Sequence, residues 1–202
     1  MITKTSISER SVGLSANASF LLIYLQEFGE DIFPDLLDLM SSSMAAVVAA
    51  VAYQGEPSEA TAIALADAIG RVDTEKCQRL IWSLAKNADE SLPHFDDWVA
   101  EYPGMNVIST MVDVVRFLHP TLTAKVKAKS KQGGKTDGVF STHLIMVAIT
   151  ARGMSVSDME RFTVGQCVDF VIEWNNLHVQ PGKERKEPVR RRAKQADWDN
   201  FR

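Results

Sequence analysis

A chain of 202 residues, 46% of them hydrophobic, can bury one substantial core with room for a smaller appended unit. No basic stretch leads into an apolar one near its start. The longest apolar run, Met44 to Tyr53, is Ala-rich and about half of what a bilayer span needs, so a soluble protein is expected. The formal charge of −4 divides unevenly: residues 1–119 hold 7 Lys+Arg against 17 Asp+Glu, a balance of −10, while residues 120–202 hold 15 against 9, a balance of +6. Opposite signs in the two halves suit a basic tail for nucleic acid, a contact between the halves, or two surfaces for two partners.

Residues 1–14 alternate Ile, Thr and Ser with little periodicity, which predicts a short strand or a loose arm. A helix follows, capped by Asn17 or Ser15, with Phe20, Leu21, Tyr24, Leu25 and Phe28 as its apolar face and Gly29 as a left-handed stop. Pro34 suits the first turn of a second helix, in which Leu36, Leu37, Leu39 and Met40 face inward. Ser41 to Ser43 either break that helix or are passed through. Met44 to Tyr53 is apolar on every side, which predicts a buried helix, or in part a groove for a partner helix. Ser58 caps a further helix that stops at Gly70.

Three apolar stripes at i, i+3, i+4, i+7 then follow one another: Cys77, Leu80, Ile81, Leu84; Phe95, Trp98, Val99, Tyr102; and Ile108, Met111, Val112, Val115. Pro93 precedes the second stripe, Pro103-Gly104 closes it, Asn106 caps the third and Pro120 is expected to end it. Trp82, Phe95, Trp98 and Leu118 belong in or near this core. The fold class is therefore all-α: a helical domain over 1–120, a Lys/Gly-rich linker over 121–138, a small helical extension over 139–176 and a disordered basic tail over 177–202. In the linker, Lys125, Lys127, Lys129 and Lys131 stand at every second position before Gly133-Gly134, a composition that predicts mobility. In the extension, Ser141 caps one helix, while Thr163 and Gln166 have capping-box spacing ahead of Val164, Cys167, Val168 and Val171. So few helices are marginal alone, and they should dock on a partner, on another subunit or on the first domain.

Chemistry-bearing patterns are scarce. Gly134-Lys135-Thr136 lacks both the earlier glycine and the strand of a phosphate-binding loop. His94, His119, His143 and His178 have no partners at ligand spacing, so no metal and no cofactor is expected. Asp89-Glu90 and Asp96-Asp97 read as helix-start carboxylates and not as a catalytic pair. No serine sits in a nucleophile elbow. Cys77 and Cys167 lie on apolar stripes and read as buried reduced thiols, which fits a reducing cytoplasm. No enzyme is expected. The linker lysines and the tail residues Lys183, Arg185, Lys186, Arg190, Arg191, Arg192 and Lys194 could contact phosphates, but the acidic first domain argues against nucleic acid. Trp198 and Phe201, three apart near the chain end, have the form of a short helical anchor for a protein partner.

The run Leu80 to Trp98, LIWSLAKNADESLPHFDDW, resembles the helix, Asn-Ala-Asp loop and Phe-x-x-Trp helix of the tail assembly chaperones of long-tailed, siphovirus-type bacteriophages. Upstream, Phe28 to Leu39, FGEDIFPDLLDL, is similar to the same family's Phe-Gly-x-Asp stretch, and the likeness extends over roughly residues 15 to 118. It implies a first domain that coats the tape measure protein and a second segment, added in a minority of copies by frameshift or read-through, that recruits the major tail tube protein. The chain looks like the extended form, working in the host cell cytoplasm, with Trp198, Phe201 and Arg190 to Arg192 as candidate partner-binding residues. A homo-oligomer is compatible with this role, and a nucleic-acid adaptor or a plain oligomerisation module are the rival readings.

Overall fold

The computed structural model describes residues 2–7, 10–128 and 140–178. Most element ends follow local chemistry. A hairpin of β1 (Ile2–Ile7) and β2 (Arg10–Ser15) opens the chain, antiparallel with Ile2 opposite Ser15 and Ile7 opposite Arg10. Its period-two alternation buries Thr5, Ile7, Val12 and Leu14 on one face. Of the two expectations for this segment, the strand is the one adopted. Helix α1 (Phe20–Phe28) stops at Gly29, whose φ of 68° only glycine adopts without strain. Its start differs from expectation: Ser19 is the N-cap residue without a side-chain cap bond, because Asn17 is committed elsewhere.

The following helices are α2 (Phe33–Gly55), with Pro34 in its first turn, α3 (Glu59–Gly70) and α4 (Thr74–Lys86). Ser41 to Ser43 are passed through. Helix α3 is held at its start by the reciprocal Ser58 and Thr61 bonds, and α4 by Asp73 accepting from Lys76 N at 3.0 Å. Short α5 (Phe95–Glu101) carries Asp96 and Asp97 exposed in its first turn, and α6 (Val107–Leu122) starts at Asn106, whose Oδ1 accepts from Ser109 N at 3.1 Å. The stop expected at Pro120 is not where α6 ends. Proline removes the N–H that would reach Arg116 O, yet the helix carries on to Leu122, and Thr121 Oγ1 and Thr123 Oγ1 donate to the carbonyls of its last turn, Leu118 O at 2.7 Å and His119 O at 2.8 Å. The expected linker start at 121 therefore falls inside a helix.

The core lies where α1, α4, α5, α6 and the hairpin meet. Trp82, Trp98, Tyr24, Phe20, Leu80, Ile81, Leu84 and Met111 are fully buried there, and Leu118 with them. Phe28 sits edge-on to Tyr24, Phe95 and Trp82 at centroid distances of 4.8, 5.1 and 5.7 Å, with the Arg79 guanidinium 4.9 Å from its ring centre. The Asn-Ala-Asp loop of the family-like stretch has a structural task. Asn87 Nδ2 donates to Ser15 O at 3.0 Å and to Asn17 Oδ1, and Ser19 Oγ lies 2.6 Å from Asn17 Oδ1 and 2.7 Å from Asn87 Oδ1, sharing its one proton between them. This network fixes the start of α1 on the end of α4.

Beyond it, α7 (Thr142–Thr150), a 3-10 helix (Val156–Glu160) and α8 (Val164–His178) form the second unit. Of the docking partners open to it, the structure uses the first domain. Ala18 N donates to Phe162 O at 2.7 Å, and Asn17 Nδ2 to Glu160 O at 2.6 Å. Asp31 accepts from Phe33 N at the head of α2 and, at 2.7 Å, from Thr142 N at the head of α7. Asp169 on α8 accepts from both Lys125 N and Val126 N at 2.7 Å, so residues 125–126 of the expected linker are held. The lysines and glycines from Lys129 to Gly138 lie outside the described residues.

Gly165 marks the tightest approach. A Cβ there would collide with the Thr123 carbonyl oxygen and lie 3.0 Å from Thr121 O, both backbone groups that cannot turn aside. Gly165→Ala is expected to cost about 1 to 3 kcal/mol in chemical denaturation by prying α8 from the end of α6. An unchanged midpoint would show that this seam yields.

Candidate functional site

The described surface carries an open apolar groove between α2 and α6, with a volume of about 690 Å³. Helix α2 lines it with Met40, Ser41, Met44 and Val47, and α6 with Val112, Val115, Arg116 and His119. Each set follows the helical repeat of one face, so the groove is the trough between two parallel stripes. Its size is that of a binding cleft rather than a packing defect.

The apolar surface continues past the groove. Met44, Val48, Val51 and Tyr53 are 44, 63, 64 and 38% exposed, and Ile63 and Ile69 on α3 are 63 and 43% exposed. Of the two expectations for Met44 to Tyr53, full burial holds only for Ala46, while Met44 and Val47 line the groove and the rest of the stretch belongs to an arm that α2 and α3 extend from the core. The physical reason is a shortage of neighbours: α3 packs on α2 through Ala68, and no further element covers the outer side of either helix among the described residues. Exposed apolar side chains grouped on neighbouring helices in this way make the face a candidate interaction surface.

The fixed charge in the groove is that of Arg116. Arg116 is loosely tied, 3.9 Å from Asp113 with its side chain 79% exposed, and Asp113 also accepts from Thr5 Oγ1 at 3.1 Å. His119 stands one turn on. No carboxylate is among the lining residues.

The other candidates from the sequence fall elsewhere. Trp198, Phe201, Arg190, Arg191 and Arg192 lie outside the described residues, so their geometry relative to the groove is not part of this picture. His94 Nδ1 is 3.2 Å from Glu27, whose Oε1 also accepts from Phe95 N, and His178 stacks on Trp174 at 3.8 Å. Among the described residues no three His, Cys, Asp or Glu side chains gather as a metal ion would need, and no helix is long and apolar enough to cross a membrane. Asp89 accepts from the Ser91 hydroxyl and backbone N–H, which hold its carboxyl below the usual range as a turn residue.

Both cysteines are buried and free, and burial pushes each thiol up to about 11. Because the folded values stand above the ordinary 9.0, their contribution to stability is complete below that pH and is lost between about 9 and 11. Native protein at neutral pH should resist iodoacetamide at Cys77 and Cys167, whereas both label in denaturant, as mass spectrometry will count. Rapid native labelling of either would contradict its burial.

Sequence reading assigned Met40, Val112 and Val115 to the core and missed that they edge a trough. The signal was the continuation of the Val112 and Val115 stripe into Arg116 and His119, which places charge on a face otherwise apolar. Fold and groove together define an all-α protein with a two-stranded hairpin and an apolar cleft open to solvent. Comparison with protein families, curated proteins and solved structures found no match to this chain.

Proposed function

We propose that this chain is a non-enzymatic tail assembly chaperone of a long-tailed bacteriophage, which covers apolar helical segments of the tape measure protein in the host cytoplasm until the tail tube encloses them. The observation that carries this reading is the groove between α2 and α6 with its exposed continuation along Met44, Val48 and Val51. A long apolar filament aggregates unless its surface is covered, and a helix-in-groove contact repeated over many copies gains by avidity. The resemblance of Phe28 to Leu39 and Leu80 to Trp98 to such chaperones supports the same reading.

Co-expression tests it. The tape measure protein should move from the insoluble to the soluble fraction when this chain is present and co-purify with it. Insolubility unchanged by the chain would remove the proposal. A concentration-dependent dimer of the chain alone, lost on substituting Met44, would instead assign the groove to a second copy.

The second half of the proposal gives the extension over 139–176 and the tail after it the recruitment of tube subunits. Trp198 and Phe201 are the anchors, and Arg190 to Arg192 speed encounter with an acidic surface. Truncating both aromatics to Ala should weaken capture of purified tube protein by about thirtyfold or more while tape measure binding persists. Equal recovery from wild-type and doubly substituted chains would take the tail out of the mechanism. Steep salt-dependent DNA binding by the same tail would favour the adaptor reading instead.

A further inference from the structure

The groove's rim differs in sign from the domain that carries it. Residues 1–119 balance at −10, yet the charged or titratable side chains lining the groove are Arg116 and His119, set at i and i+3 beside Val112 and Val115. Arg116 has slack: its nearest carboxylate, Asp113, is at 3.9 Å and is shared with Thr5. Apolar contact alone needs no cation at this place. A guanidinium held loosely over a trough of Met and Val is suited to meeting a carboxylate that arrives with an apolar ligand.

The reach of the apolar stripe sets the ligand's form. From Met40 through Met44 and Val47 to Val51, α2 offers a straight line about 16 Å long at the helical rise, with α6 forming the second wall along its first half. An occupant that follows this line is itself a helix of about three turns, apolar at i, i+3, i+4 and i+7.

We infer that the groove selects one class of partner segment, an amphipathic helix whose apolar stripe is bordered by an acidic residue that pairs with Arg116, beside His119. This deepens the proposed chaperone function and rests on its assignment of the groove as the binding site. It also supplies selectivity: helices bordered by lysine are rejected at the rim although the domain as a whole would attract them.

The test uses the full chain and two fluorescent synthetic peptides of about sixteen residues, identical in their Leu stripe and bordered by Glu in one and Lys in the other. At about 0.15 M salt, where charges farther apart than about 8 Å are largely screened and a contacting pair keeps part of its attraction, the Glu peptide should bind roughly fivefold more tightly. Arg116→Gln with His119→Gln, both exposed and so without effect on folding by circular dichroism, should erase that preference while leaving Leu-stripe binding. Equal binding of the two peptides by wild type, or a Lys preference, overturns the inference and leaves the chaperone reading standing. Failure of both peptides to bind also overturns it, and if the tape measure protein stays insoluble as well, the chaperone reading falls with it.

Discussion

Trp98→Ala is expected to lower stability by about 3 to 5 kcal/mol, which for a domain of this kind is a large part of the total. The ring is fully buried, 5.0 Å from Tyr102 by centroids, on the single face by which the seven-residue helix α5 holds to the core. A helix that short has little stability of its own, so removing its anchor should release α5 and the Pro103-Gly104 turn together. Denaturant titration followed by circular dichroism measures the loss. Substitution by Phe separates volume from polarity: Trp98 Nε1 is buried without a hydrogen-bond partner among the described residues, whereas Trp82 Nε1 donates to Pro93 O at 3.2 Å. Trp98→Phe should therefore cost less than Trp82→Phe, which strands a carbonyl. A drop below about 1 kcal/mol for Trp98→Ala would contradict the core placement.

The second large effect is on binding. Met44 is 44% exposed on the wall of the groove, so Met44→Asp should leave the thermal midpoint close to that of the parent while placing a charge where an apolar helix must lie. Desolvating a carboxylate against that helix should weaken tape measure binding by about 2 kcal/mol or more, roughly thirtyfold. Soluble recovery of co-expressed tape measure protein should fall accordingly. Asp96→Asn, at an exposed position in the first turn of α5, is the control expected to leave binding unchanged. If Met44→Asp binds as wild type does, the groove is not the site.

Features confined to a few neighbouring residues were legible in the sequence. The Thr163 and Gln166 box closes as its spacing predicts, with Thr163 N donating to Gln166 Oε1 at 2.9 Å and Gln166 N to Thr163 Oγ1 at 3.2 Å. Asn106, Ser58, Ser141 and Gly29 likewise start or stop the helices expected of them. These are contests between a side chain and the backbone three or four residues away, and little from elsewhere overrides them.

What depended on distant neighbours was not legible. Met44 to Tyr53 is apolar on every side, but periodicity records the character of a face and not whether anything lies against it, and here the chain leaves the outer face bare. The Asn17, Ser19 and Asn87 network joins positions 70 residues apart, so Asn17 looked like a local cap when its side chain serves the tertiary fold. Pro120 signals a stop through its missing donor, but the loss touches the Arg116 carbonyl alone and α6 runs past it to Leu122. The groove was half legible: Met44 to Tyr53 admitted a trough for a partner helix, but the α6 wall of Val112 and Val115 looks like ordinary core until the helices are seen side by side.

Site-specific photo-crosslinking tests the central claim most directly. A photo-reactive residue is placed at position 44 in the groove, and separately at position 96 on α5, in full-length chains co-expressed with the tape measure protein. An adduct with the tape measure protein is expected from position 44 and none from position 96. Adducts of equal yield from both, or from position 96 alone, would contradict the assignment of the groove as the binding site.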